Sequence, residues 1–252
     1  MNHRLFLAVF LGPLACVGAL ADDGGWQFQL SPYIWLAGID GRMGTIPGQP
    51  PVDIDYSASD AFDDTEASFM LFLDARKGRH GFVIDALYSD VRSDFELLPD
   101  PINLSVRSIS ETTIISAAYQ YEMYRGPGTV IDLMGGVRYW DIDSTLKFTG
   151  GLGVLAGQSV SNTESWFDPA LGIKAITPLG GSNFYFMGAA SVGGFGVGSD
   201  LFYDLTGNLG YQWNDAIGTS LGYRLFDVDY EDGGYVYDVT QEGWQLALTW
   251  GF

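Results

Sequence analysis

The sequence predicts an all-β fold: a transmembrane, antiparallel, up-and-down β-barrel of about ten strands, with eight as the alternative count. Three observations carry this expectation: a hydrophobic period of two, connections that alternate short and long, and an unusual composition. Of 252 residues, 34 are glycine and 15 % are aromatic, but only 17 % are charged. Soluble chains average about 25 % charged residues and about 7 % glycine. Acidic residues outnumber basic ones 31 to 12, for a net charge of −19. That balance excludes a nucleic-acid binder, which needs a basic face. The supply of aromatics and aliphatics excludes a disordered chain. A lone cysteine, Cys16, excludes a disulfide framework and a cysteine-ligated zinc site.

The N-terminus reads Met-Asn-His-Arg, then an apolar run from Leu5 to Ala21, then Asp22-Asp23. A basic start, an apolar middle and Ala19-Leu20-Ala21 make a secretory signal with a small-x-small cleavage site. The run is interrupted by Gly12-Pro13 and is marginal for a membrane-spanning helix. The expected organisation is therefore a signal peptide over 1–21 and a barrel over 22–252.

Alternation then defines the strands in order. Trp26, Phe28, Leu30, Pro32, Ile34 and Leu36 share one phase, and Gln27, Gln29 and Ser31 begin the other. The same pattern recurs at Ile131, Leu133, Val137 and Tyr139, and at Leu201, Tyr203, Leu205, Leu209, Tyr211 and Trp213. Such a period belongs to strands with one apolar and one polar or small face. Ten runs result: 26–38, 67–77, 80–93, 107–124, 129–147, 161–177, 183–193, 201–213, 216–229 and 239–252. Between them, 77–80, 125–128, 178–182 and 214–215 are tight turns rich in Gly, Pro, Asn and Asp. The segments 39–66, 94–106, 148–160, 194–200 and 230–238 are longer. A soluble sandwich gives no reason for strict alternation of short and long connections. A barrel with short periplasmic turns and long outer loops does.

At the C-terminus Trp244, Leu246, Leu248, Trp250 and Phe252 occupy one phase and Gln245, Ala247, Thr249 and Gly251 the other. An apolar outward face with aromatic ends suits a lipid-facing strand. This ending resembles the terminal β-signal of Gram-negative outer-membrane barrels, read in that family by the barrel-assembly machinery. The opening Ser31-Pro32-Tyr33-Ile34-Trp35-Leu36 and Gly38-Ile39-Asp40-Gly41 also resembles an uncharacterised proteobacterial group of small outer-membrane barrels. The resemblance implies residence in the cell outer membrane, with outer-membrane lipid and lipopolysaccharide as surroundings and no nucleic acid.

If the apolar phase faces lipid, Asp74, Arg76, Asp85, Glu122, Asp132, Arg138, Asp168, Lys174, Asp204 and Arg224 face the lumen. Charges inside a narrow barrel have to pair, because burying one alone is expensive. They form either a selective polar path or a salt-bridged plug. The plug is the expectation here, since barrels of about eight strands fill their interiors with side chains.

The acidic excess gathers at Asp53, Asp55, Asp60, Asp63, Asp64 and Glu66, with a second group at Asp227, Asp229, Glu231 and Asp232. Asp53, Asp55 and Asp64 have a faint calcium-loop spacing. However, Ala58 stands where that loop needs Gly, and Asp64 replaces its bidentate Glu. No metal and no cofactor is expected. Outer-membrane enzymes such as omptin-type proteases and lipid A acylases and deacylases use a His near the outer rim. Here His3 leaves with the signal and His80 falls in a short periplasmic turn. Gly151-Leu-Gly-Val-Leu-Ala156 matches a dinucleotide fingerprint in form, but no helix is expected after it. The sequence therefore reads as a porin-like integral outer-membrane barrel with a structural, surface-interaction or narrow solute-channel role and no catalysis. The alternatives are a His-independent outer-membrane enzyme and a secreted, soluble, ligand-binding β-sandwich.

Overall fold

The computed structural model describes residues 24–44, 50–98, 104–150 and 157–252. The signal segment 1–21 and the Gly151–Ala156 motif lie outside the described residues. The strands are β1 (Gln27–Gly44), β2 (Val52–Tyr56), β3 (Thr65–Lys77), β4 (His80–Leu98), β5 (Leu104–Arg125), β6 (Val130–Thr149), β7 (Ser159–Pro178), β8 (Phe184–Gly194), β9 (Leu201–Gln212), β10 (Ile217–Asp232) and β11 (Tyr235–Gly251). One short helix, α1 (Ala58–Asp63), lies between β2 and β3.

Every neighbouring pair is antiparallel, in chain order from β3 to β11, and β11 returns to β1 from Gln29↔Gly251 to Gly44↔Val236. Phe28 and Phe252 exchange two backbone hydrogen bonds of 2.9 Å across this seam. The result is a closed ten-stave wall, which leaves no free edge along the seam. Glycine is required there: a Cβ on Gly243 would overlap the Leu36 carbonyl. β2 is a short return strand on the upper part of β1, pairing Ile39↔Tyr56 through Met43↔Val52. β3 takes over lower down, at Pro32↔Leu71 through Gln27↔Arg76.

The short turns are built as their residues suggest. Gly78 takes φ +59 between β3 and β4. Between β9 and β10, the Asn214 side chain accepts from the amides of Ala216 and Ile217, each at 2.9 Å. At the far end the strands run further than the alternation indicates. β4 to β7 have 19, 22, 20 and 20 residues, whereas about 9–11 cross a bilayer. The expected long loop 230–238 is instead a tight hairpin. β10 and β11 continue to the pair Asp232↔Tyr235 around Gly233 and Gly234, at φ +55 and +93, the positive angles that a two-residue turn needs. Between β7 and β10 the wall is low, because β8 and β9 have only 11 and 12 residues.

The apolar phase changes sides along the long strands. On β10, Leu221 and Tyr223 point outward, whereas Phe226, Val228 and Tyr230 further up are buried inside. On β11 the outward set Trp244, Leu246 and Leu248 follows an inward set of Tyr235, Tyr237 and Val239. β6 does the same, with Leu133 and Val137 outside and Trp140 and Ile142 inside. The exchange occurs without a bulge on β10 or β11. Among the described residues the apolar belt lies on the lower part of the wall. Above it the exterior carries Asp227, Asp229 and Glu231 and the core moves into the lumen.

Candidate functional site

All ten ionisable residues assigned to the lumen lie on the inward phase, and seven of them are buried: Glu122, Asp132, Arg138, Asp168, Lys174, Asp204 and Arg224. Nine join two ion-pair groups. Near the short turns, Arg76 grips Asp132 through Nη1 at 2.9 Å and Nη2 at 2.5 Å, and reaches Glu122 at 3.4 Å. Glu122 also accepts from Arg125 at 2.5 Å. Lys174 pairs with Asp74 and lies 3.7 Å from Asp132. Gln120, fully buried, donates to Asp74 at 2.5 Å and accepts from Lys174 at 2.8 Å.

The second group sits higher. Asp204 accepts from Arg224 at 2.6 and 2.9 Å and from Arg138 at 2.8 Å. Arg224 also reaches Asp85 at 3.1 Å and the Tyr33 hydroxyl at 3.1 Å, and that hydroxyl donates to Asp85 at 2.7 Å. Each acid thus has a base or a hydrogen-bond donor, which a buried charge requires.

Asp168 departs from the expected network. Among the described residues no cation pairs with it, although Arg138 is its cross-strand partner in register. Its carboxylate accepts from the indole N–H of Trp140 at 2.8 Å and of Trp166 at 3.2 Å. It also accepts from the Ser199 amide and hydroxyl, each at 2.7 Å. Ser199 comes from the β8–β9 connection, which folds inward over the low wall and buries this residue completely. Four donors thus do for Asp168 what a counter-ion does for the others.

Above the second ion-pair group an aromatic and aliphatic layer fills the barrel. Trp166 stacks on Tyr230 at 3.8 Å between ring centroids and on Trp140 at 5.3 Å. Phe202 and Phe226 pack against Trp140, and Trp35, Met70 and Ile114 complete the layer from β1, β3 and β5. The two arginines form its underside: the Arg138 guanidinium lies 4.4 Å from the Phe202 ring and that of Arg224 lies 5.0 Å from Trp35. Sequence reasoning missed this layer by keeping Leu201, Tyr203 and Leu205 as the apolar phase of their strand, which leaves out Phe202. The available signal was the switch of apolar phase within single strands, at Leu225-Phe226 and between Val239 and Trp244.

Below the layer is a cavity of about 220 Å³. Charged side chains border it on both sides, Asp74, Asp85, Arg138 and Lys174 from β3 to β7 and Asp204 and Arg224 from β9 and β10. Small ones, including Ala189, Ser191, Ser220 and Ala247, border it from β8 to β11 and leave the room.

The remaining candidates lie elsewhere. Trp244, Leu246, Leu248, Trp250 and Phe252 are all exposed on the outer face, as an apolar belt requires. Asp53 and Asp55 lie on β2, and Asp64 caps α1 and accepts the Tyr56 hydroxyl. Among the described residues no three His, Cys, Asp or Glu side chains converge as a metal site. His80 opens β4 beside its short turn, and its Nδ1 shares a hydrogen bond with the Tyr119 hydroxyl on β5.

No family model and no curated protein matches the chain. Solved structures do. The outer-membrane protease OmpT from Escherichia coli superposes with a TM-score of 0.60 at 10 % identity, covering 90 % of this chain and 96 % of that one. The translocator domain of the autotransporter NalP from Neisseria meningitidis gives 0.46 at 10 % identity, covering 91 % and 90 %. The attachment invasion locus protein Ail of Yersinia pestis gives 0.38 at 10 % identity, covering 90 % and 99 %. At these identities the likeness is one of fold: the chain is a closed, ten-stave antiparallel barrel of the kind seen in the outer-membrane protease OmpT.

Proposed function

We propose that this protein is an integral barrel of the Gram-negative outer membrane, non-conducting and non-catalytic, with a structural and surface-interaction role. The observation that carries the reading is the buried aromatic layer, which draws side chains from β1, β3, β5, β6, β7, β9, β10 and β11 and fills the lumen. Close packing of this kind opposes a water file and so supports the plug over the narrow channel. The exposed apolar belt supports membrane residence, since scattered exposed hydrophobics are ordinary but a continuous band is not. The short turns and both barrel termini would then face the periplasm. The acidic upper wall would meet lipopolysaccharide and the medium outside. Trp244, Leu246, Leu248, Trp250 and Phe252 would serve the barrel-assembly machinery as the terminal β-signal.

A non-catalytic role is supported by how the carboxylates are engaged. Asp74 and Asp85, the pair best placed for acid–base work, are each held by a base and a second donor. Two measurements test the proposal. Purified protein should shift mobility on an unboiled gel and should show no steady conductance in planar bilayers. A large, steady conductance would overturn the closed lumen. A chain released from cells without detergent and lacking the gel shift would overturn the membrane barrel.

A further inference from the structure

We infer that the cavity beneath the aromatic layer is a binding site for a neutral, hydroxylated small molecule about the size of one sugar ring, taken up from the short-turn end. The first argument is charge. Three acids and three bases line the space, Asp74, Asp85 and Asp204 against Arg138, Lys174 and Arg224, and each is already engaged with an opposite charge. A charged guest would be desolvated into a site whose counter-charges are committed, and it would have to break a buried pair to find one. A neutral guest meets no such cost.

The second argument is the chemistry of the remaining lining. The β8 to β11 side presents short hydroxyl and amide groups, among them Ser191, Thr206, Asn208, Ser220 and Gln245. Such groups both donate and accept, and so match hydroxyls in either role. Asn208, Thr206 and Gln245 are held as one unit, with Gln245 Nε2 donating to Thr206 at 2.5 Å and to Asn208 at 2.7 Å. The rings of Phe72 and Tyr185 supply apolar faces within the same space, the mixed surface typical of small-molecule sites.

The third argument is access. Gln29 and Thr249, close to the short-turn rim, line the lower part, whereas the aromatic layer closes the top. The cavity is a blind vestibule, suited to holding a molecule rather than passing it. Only the direction of access rests on the closed-lumen reading; the site itself does not.

The test uses the full-length barrel in detergent, with glucose and myo-inositol as neutral probes and glucuronate and glucosamine as matched charged ones. Saturation-transfer NMR and equilibrium dialysis should show saturable binding of at least one neutral probe. The charged analogues should bind at least tenfold more weakly. Ala189→Phe, which fills the cavity, should weaken neutral binding at least tenfold with the gel shift retained. Ser220→Phe, on another strand, carries the same test if the first variant does not fold. Absence of saturable binding, tighter binding of a charged probe, or unchanged affinity in both filled variants would each overturn the site. Conductance in a bilayer would overturn the closed lumen while leaving the binding result standing.

Discussion

The two halves of the lumen fill the same cylinder by opposite means. The far half packs Trp140, Trp166, Phe202, Phe226 and Tyr230 into a dry core. The short-turn half uses two groups of paired charges and leaves a cavity that they line together with small residues. The proposed membrane placement accounts for the difference. If the exposed apolar belt is set in lipid, its residues are committed outward and the inward phase is left to polar groups. Above the belt the apolar residues turn inward and form an ordinary core. The switch of hydrophobic phase along one strand would then mark the edge of the membrane.

The largest way to break the comparison is to remove the centre of the dry half. Trp140 is completely buried, touches three other rings and donates to Asp168. Trp140→Ala should cost about 3–5 kcal/mol. It should lower the temperature of the gel-shift transition and raise single-channel noise in bilayers. If stability is unchanged, the aromatic layer is not the core of the barrel.

Next is the charged half. Asp204 holds both Arg138 and Arg224, so Asp204→Asn leaves two luminal cations with one fewer partner. Breaking a buried pair costs about 3–5 kcal/mol, and the adjoining cavity, which admits water, puts this variant near the lower end. Urea unfolding of Asp204→Asn against the double variant Asp204→Asn/Arg224→Met measures the coupling. Partial recovery in the double variant is expected; additive losses would mean that the two side chains do not act as a pair.

How far this division could be read from the sequence differs between the halves. The inward set Asp74, Asp85, Asp132, Arg138, Asp204 and Arg224 was legible because charge on the minority phase of an apolar strand has only the lumen to occupy. The barrel was legible from the alternation of short and long connections, for which a sandwich gives no reason. The dry half was not, because one phase was extended along each strand although the apolar residues change sides partway. The 230–238 hairpin was hidden for the same reason: Tyr230, Tyr235 and Tyr237 break the outward pattern and so read as loop. Asp168 was expected to pair with a luminal charge, whereas Ser199, its principal donor, lies 31 residues away in a connection. The cavity depends on residue size across four strands, which no single-strand pattern reports.

Asp168 sharpens the boundary between the halves, because it is a carboxylate inside the dry one. An amide at this position keeps the shape but brings two donors to a site that already supplies four. Asp168→Asn should therefore cost about 2 kcal/mol, within the range for orphaning a buried donor. It should also release the β8–β9 connection, seen as faster amide exchange at Ser199. Protection equal to that of the unaltered protein would mean that the carboxylate does not hold this loop.

The smallest effect belongs to the water-facing exterior of the upper wall, where two carboxylates respond to pH with opposite signs. Asp229 is held above the ordinary carboxylate range by burial first and then by Asp238, Asp200 and Glu231, and Asp238 stands directly across the ladder. The folded chain thus binds this proton more tightly than the unfolded one, so stability falls as pH rises from the ordinary carboxylate range through the raised value. Asp94 is held below that range, chiefly by its hydrogen bond from Arg107. Its contribution is present above the ordinary range and is lost as pH falls through the lowered value. Solvent screening keeps both effects small. Asp229→Asn should raise the transition temperature at neutral pH by no more than about 2 °C, and the gain should vanish in acid. Asp94→Asn should lower it slightly at neutral pH, and high salt should erase that loss. A shared sign for the two variants would show that the upper wall responds to net charge alone, and not to the local pairing that sets Asp229 and Asp94 apart.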